Sequence, residues 1–150
     1  QMGLNIVDAR ITPLDGGLGI DTYLVLEDTG LPIADRPRAQ QIEQQLRRVL
    51  LSAEAELPVV TRRAPRQVRM FSTPTQITFT EDALQNRTVL EIIAGDRPGL
   101  LSEIGKVFLA EQIDVNTAKI MTIGERAEDV FYITDAQGRP LTEAAREQLR

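Results

Sequence analysis

The sequence predicts an α+β fold, an antiparallel sheet with helices on one face, present as one nearly complete unit and part of a second. Three observations predict it. Two segments of the chain resemble each other in order. Each copy reads strand, hairpin, strand, turn, helix. Upstream of the second copy alone stand a further strand and an amphipathic helix.

The repeat is visible when the chain is laid against itself. Leu4-Asn5-Ile6-Val7-Asp8-Ala9-Arg10-Ile11 matches Ile113-Asp114-Val115-Asn116-Thr117-Ala118-Lys119-Ile120, with aliphatic on aliphatic, Ala on Ala and base on base. Asp21 to Glu27 then matches Asp129 to Asp135, and Gly30-Leu31-Pro32-Ile33 matches Gly138-Arg139-Pro140-Leu141. In the first copy Asp15-Gly16-Gly17 is a Gly-rich hairpin signal. The helix after it starts near Pro37, a favourable first-turn residue, and carries Ile42, Leu46, Val49 and Leu50 on one face. The second copy turns at Gly124-Glu125-Arg126, and its helix starts near Thr142.

Upstream of the second copy, Thr88 to Ala94 is rich in β-branched residues and reads as a buried strand. After Gly95-Asp96-Arg97-Pro98-Gly99, a helix places Leu100, Leu101, Ile104, Val107 and Phe108 on one face. Only three residues precede the first copy, so that unit reads as lacking its opening strand and helix. The chain therefore divides into a partial unit over 1–52, a Pro/Arg-rich linker over 53–74 and a fuller unit over 75–150.

Strand, helix, strand, strand, helix is the split β-α-β order of a ferredoxin-like sandwich. Its usual fourth strand would follow the last helix. Thr75 to Thr80 alternates polar and apolar residues and reads as a half-buried strand joined by a short turn to the strand at Thr88. It is expected to complete the second unit's sheet from the N-terminal side, a permuted arrangement; the alternative is that it finishes the first unit's sheet. The missing half of the first unit is expected to leave an uncovered strand edge and apolar face, which favours a homodimer.

Composition excludes several function classes. The chain has no Cys and no His, which removes disulfides, thiolate metal sites, histidine-ligated metals and Ser-His or Cys-His nucleophile pairs. The net charge of −5 argues against a nucleic-acid module, and aromatic residues are too sparse for a base-stacking platform. Arg62, Arg63, Arg66 and Arg69 read as a solvated linker rather than a nucleic-acid patch. No apolar run is long enough to span a membrane. The first residues do not read as a signal peptide. Absence of Cys is compatible with a cytoplasmic location.

The run from Val89 through Asp96-Arg97-Pro98-Gly99-Leu100-Leu101, then Ile104-Gly105, then Ile113 to Ile120, resembles an ACT domain. Thr122-Ile123-Gly124-Glu125-Arg126-Ala127-Glu128-Asp129-Val130-Phe131 resembles, more narrowly, the last ACT domain of the bacterial bifunctional uridylyltransferase/uridylyl-removing enzymes. This resemblance implies a cytoplasmic regulatory module that senses glutamine and carries no catalytic residues. It would control catalytic domains that uridylylate and deuridylylate the PII nitrogen-signalling protein. The Mg2+ it implies belongs to those catalytic domains, and no cofactor is expected in this segment.

An amino-acid effector presents a carboxylate and an ammonium. Free N–H groups at a helix start suit the carboxylate. Pro98 has no N–H, but Gly99, Leu100 and Leu101 have, and Gly99 lets a ligand approach the backbone. Asp96 is either an acceptor for the ammonium or simply a helix cap. The resemblance adds Arg97, Asp114 and Asn116, with Asn5 as the matching residue of the first copy. An alternative is a structural, docking or dimerisation module without a ligand. A stand-alone enzyme on this fold, such as an acylphosphatase, would need a phosphate-cradling loop with a catalytic Arg and Asn, which the sequence lacks.

Overall fold

The computed structural model describes residues 2–14, 16, 18–52 and 74–150. Along them run β1 (Leu4–Leu14), β2 (Leu18–Glu27), α1 (Arg36–Leu51), β3 (Gln76–Asp82), β4 (Arg87–Gly95), α2 (Leu100–Ala110), β5 (Asp114–Ile123), β6 (Arg126–Thr134) and α3 (Glu143–Gln148). Most of the expected linker, and two of the three residues expected to turn the first hairpin, lie outside the described residues.

The strands form one six-stranded sheet in the order β2-β1-β5-β6-β4-β3, and every neighbouring pair is antiparallel. Strand β3 pairs with β4 from Gln76↔Ile93 to Asp82↔Arg87. It sits where a ferredoxin-like unit carries its last strand, so β3, β4, β6 and β5 make the second unit's sheet.

Alternation of small or apolar with polar residues decides which face is covered. Thr88, Leu90, Ile92 and Ala94 of β4, Ala127, Phe131 and Ile133 of β6, Ala118 and Ile120 of β5, and Ala9 of β1 are all buried on one face. Helix α2 packs there through Leu100 and Phe108, and the segment around α3 through Leu141, Ala145 and Leu149. The Phe108 and Phe131 rings meet edge to face at 5.2 Å. Thr142 caps α3 by accepting the N–H of Ala145 at 3.3 Å.

Thr88 fastens the approach to α3. Its side chain is wholly buried, and Oγ1 accepts the Leu141 N–H at 2.8 Å. Thr88→Val keeps the shape but strands that buried N–H. It is expected to cost about 1–3 kcal/mol in urea unfolding, and Thr88→Ser should recover most of it.

The two repeats meet at β1 and β5. Their register is Ala9↔Ile120, Arg10↔Lys119 and Ile11↔Ala118. In the sequence repeat Ala9 corresponds to Ala118, Arg10 to Lys119 and Ile11 to Ile120. Arg10 thus faces its own counterpart, Ala9 and Ile11 each face the counterpart of the other, and a local two-fold axis passes between Arg10 and Lys119. Such a self-complementary contact is what two identical chains form in a symmetric dimer. Here it forms inside one chain, and Thr122 adds a hydrogen bond from Oγ1 to the Ile6 carbonyl at 3.3 Å.

This changes what the first repeat needs. Its β1 edge is covered by the same chain's β5, so no second copy is required there, and β2 is the open edge. Apolar residues of β2 remain exposed, among them Leu18, Ile20 and Leu24. Helix α1 buries none of its residues. Arg38 ties it to the sheet by pairing with both carboxylate oxygens of Glu27, at 2.8 and 3.0 Å.

Candidate functional site

The connection from β4 to α2 is fixed at both ends. The Asp96 N–H donates to the Glu125 carbonyl at 2.9 Å, joining it to the β5–β6 turn. Gly99 adopts φ +91°, a left-handed conformation that penalises any residue with a Cβ. Helix α2 then begins at Leu100 without a side-chain cap. Asp96 is therefore not the helix cap. Burial pushes its carboxyl group above the usual range, partly offset by the Arg97 backbone N–H.

The uncapped helix leaves donors available. Leu100 donates to the Arg97 carbonyl at 3.2 Å, while Gly99, Leu101 and Ser102 donate to no backbone carbonyl among the described residues. The Leu100 side chain is buried in the core and Leu101 packs against it, so these two residues have only backbone groups to offer a ligand. The Arg97 guanidinium is paired with Glu103 at 2.7 Å, one turn into α2.

The two-fold axis sorts the remaining residues. Strand β1 runs antiparallel to β5, and Ile6 lies beside Thr122, near the C-terminal end of β5. Asn5 is thus at the same end of the sheet as the Asp96 loop. Asp114 and Asn116 are at the other end, where Asp114 faces Thr134 and Asn116 reaches Thr134 Oγ1 at 3.5 Å. The axis relates Asn5 to Asp114. The sequence candidates therefore pool two symmetry-related positions: Asp96, Gly99, Leu100, Leu101 and Asn5 share one end of the sheet, and Asp114 and Asn116 mark the opposite end.

One residue escaped sequence reading. Asp129 of β6 is 2% exposed and lies on the helix-covered face between Ile92 and Ile120. Neither carboxylate oxygen has a hydrogen bond of good geometry. Desolvation pushes its pKa up to about 6; the Met121 backbone offsets this in part, and the negative charge of Asp96 adds to it. Its signal in the sequence was an acid at an inward position of Ala127-Glu128-Asp129-Val130-Phe131.

A groove of about 250 Å³ runs between α2 and the β3–β4 side of the sheet, lined by Ile77, Leu90, Ile92, Phe108 and Leu149 among others, and reaching Ala94, Arg97 and Leu100 at the start of α2. Its walls are mainly apolar and include neither Asp129 nor Asn5. Among the described residues no group of three or more acidic side chains is placed to hold a metal ion, and no helix is long and apolar enough to cross a membrane.

Residues 88–150 match the ACT domain family. Over 144 residues, 95% of its length, the chain is 45% identical to the bifunctional uridylyltransferase/uridylyl-removing enzyme of Stutzerimonas stutzeri (strain A1501). It is 46% identical over the same extent to that of Pseudomonas entomophila (strain L48), and 44% to that of Azotobacter vinelandii. The matched region spans 16% of the length of these curated relatives. No solved structure matches the chain.

Proposed function

We propose, from the match of residues 88–150 to the ACT domain family, that the chain is the amino-acid-sensing regulatory segment of a bifunctional uridylyltransferase/uridylyl-removing enzyme, with glutamine as effector. The observation that carries this reading is the extent of the likeness: relatives of that name align with 95% of the chain, partial repeat included. The site supports it. Unpaired N–H groups at the start of α2 suit a carboxylate, Asp96 stands beside them, and Asn5 of the other repeat is at the same end of the sheet.

Regulation then follows from differential binding. Glutamine would favour one arrangement of the two repeats over another, and the catalytic domains acting on PII in the cytoplasm would respond to that arrangement. The test is titration of L-glutamine into the chain, followed by calorimetry and amide NMR shifts. Saturable binding at up to millimolar glutamine, with shifts at Asp96 to Ser102, is the expected result. No shift at millimolar glutamine defeats the reading.

A second reading has its own support. Leu46, Leu50 and Leu51 of α1 and Leu18, Ile20 and Leu24 of β2 are exposed apolar residues, as a docking or dimerisation module would require. Such a module predicts no glutamine response. It predicts association that weakens when Leu46 and Leu50 are made polar, read by light scattering.

A further inference from the structure

A carboxylate in the middle of a sheet, flanked by isoleucines, is an unfavourable choice unless something pairs with it. Asp129 is in that position: Ile92 faces it from β4 and Ile120 from β5, with Ala9 of β1 beyond. Along β6 the neighbours on the same face are Ala127 and Phe131. The titratable group whose charge reaches it is Asp96, which is also negative. No cationic side chain among the described residues pairs with Asp129.

The surroundings indicate where a partner would come from. The rank of residues next to Asp129, towards the Asp96 loop, is Ala94, Ala127 and Thr122. These are small side chains, and they lie on the path from Asp129 to the uncapped start of α2. Two carboxylates, Asp129 and Asp96, and the unpaired N–H groups at the start of α2 thus border this region. That distribution of charge complements a zwitterion.

We infer that Asp129, together with Asp96, receives the ammonium group of a free α-amino acid whose carboxylate is held by the N–H groups of Gly99, Leu101 and Ser102. The inference rests on the amino-acid-sensing reading and adds a binding residue to it. It also gives binding a proton linkage. Unliganded Asp129 holds its proton to about pH 6. An ammonium beside it favours the ionised form, so binding near that pH expels a proton into solvent.

The experiment compares L-glutamine with glutaramic acid, which is glutamine without its α-amino group, on the 150-residue chain and on Asp129→Asn. The unmodified chain should prefer glutamine by about ten- to a hundredfold, the range of a hydrogen bond to a charged group. Asp129→Asn should lose most of that preference. As a readout that needs no variant, the heat of glutamine binding to the unmodified chain at pH 6, in two buffers of different ionisation heat, should report roughly half a proton released. If the unmodified chain binds neither compound, the amino-acid-sensing reading falls. If it binds glutamine but releases no proton, or if folded Asp129→Asn keeps the full preference, the assignment of Asp129 falls and the sensing reading stands.

Discussion

Replacing Phe131 by Ala is expected to remove about 3–5 kcal/mol of stability, a large fraction of what a domain of this size has. Phe131 lies at the centre of the covered face. Leu90 stands opposite on β4 and Ala118 on β5, and the Phe108 ring of α2 meets it at 5.2 Å and 86°. Ala118 is too small to fill the space that the ring would leave, and β4 and β5 are both held by ladder hydrogen bonds, so the site cannot collapse. Loss of the edge-to-face contact would add to the loss of buried area. Urea unfolding with an unchanged m-value is the measurement. Leu50→Ala provides the contrast. Leu50 is 81% exposed on α1, so its replacement should change stability by no more than about 0.5 kcal/mol. Equal effects at the two positions would mean that α1 is packed into the core as well.

That contrast shows what a hydrophobic stripe tells and what it leaves out. The two helices carry nearly the same pattern. On α2 the stripe meets a sheet of its own unit, and Leu100 and Phe108 are buried. Its Val107 remains 45% exposed beside the open groove. On α1 no residue is buried. Periodicity shows that a face wants a partner; it carries no information about whether the partner lies nearby in the chain. The strands were legible for a related reason. Alternation over Gln76 to Asp82 and the β-branched run to Gly95 are local signals, and the short turn between them leaves few pairings open. The β1–β5 pairing was not legible. The repeat established that Ala9 and Ala118 are equivalent, but equivalence does not imply adjacency, and only the pairing reveals the two-fold axis. The candidate site suffered for the same reason. Asn5 and Asp114 looked like one kind of residue and were pooled, whereas the axis puts them at opposite ends of the sheet. An acid in a run of alternating residues, such as Asp129, reads as facing solvent. Its inward position follows from register, with Ile92 and Ile120 on either side.

The unpaired carboxylate of Asp129 should also shape how stability depends on pH. Its ordinary pKa of about 3.9 applies to the unfolded chain, and in the folded protein it is raised to about 6. The folded state therefore binds this proton more tightly than the unfolded state does. For this group stability is greatest below pH 4, declines as pH rises through that window, and levels off above pH 6. With about 1.4 kcal/mol for each pKa unit, the decline amounts to roughly 2–3 kcal/mol. Asp96, also raised by burial, acts in the same direction. Asp135 acts oppositely, because the Arg139 backbone N–H and guanidinium hold its carboxyl below the usual range, and its contribution is lost as pH falls. The total profile mixes these groups, so the informative quantity is the difference between the unmodified chain and Asp129→Asn. Asparagine cannot ionise. Near pH 4.5 the variant should match the original or be somewhat less stable, since both bury a neutral polar group. By pH 7.5 it should have gained about 2 kcal/mol relative to the original, the rest of the decline lying below pH 4.5. Urea unfolding at half-unit steps between these limits measures the crossing. Parallel curves would mean that Asp129 has a partner in solution, and the cost of the buried charge would then have to be sought at Asp96.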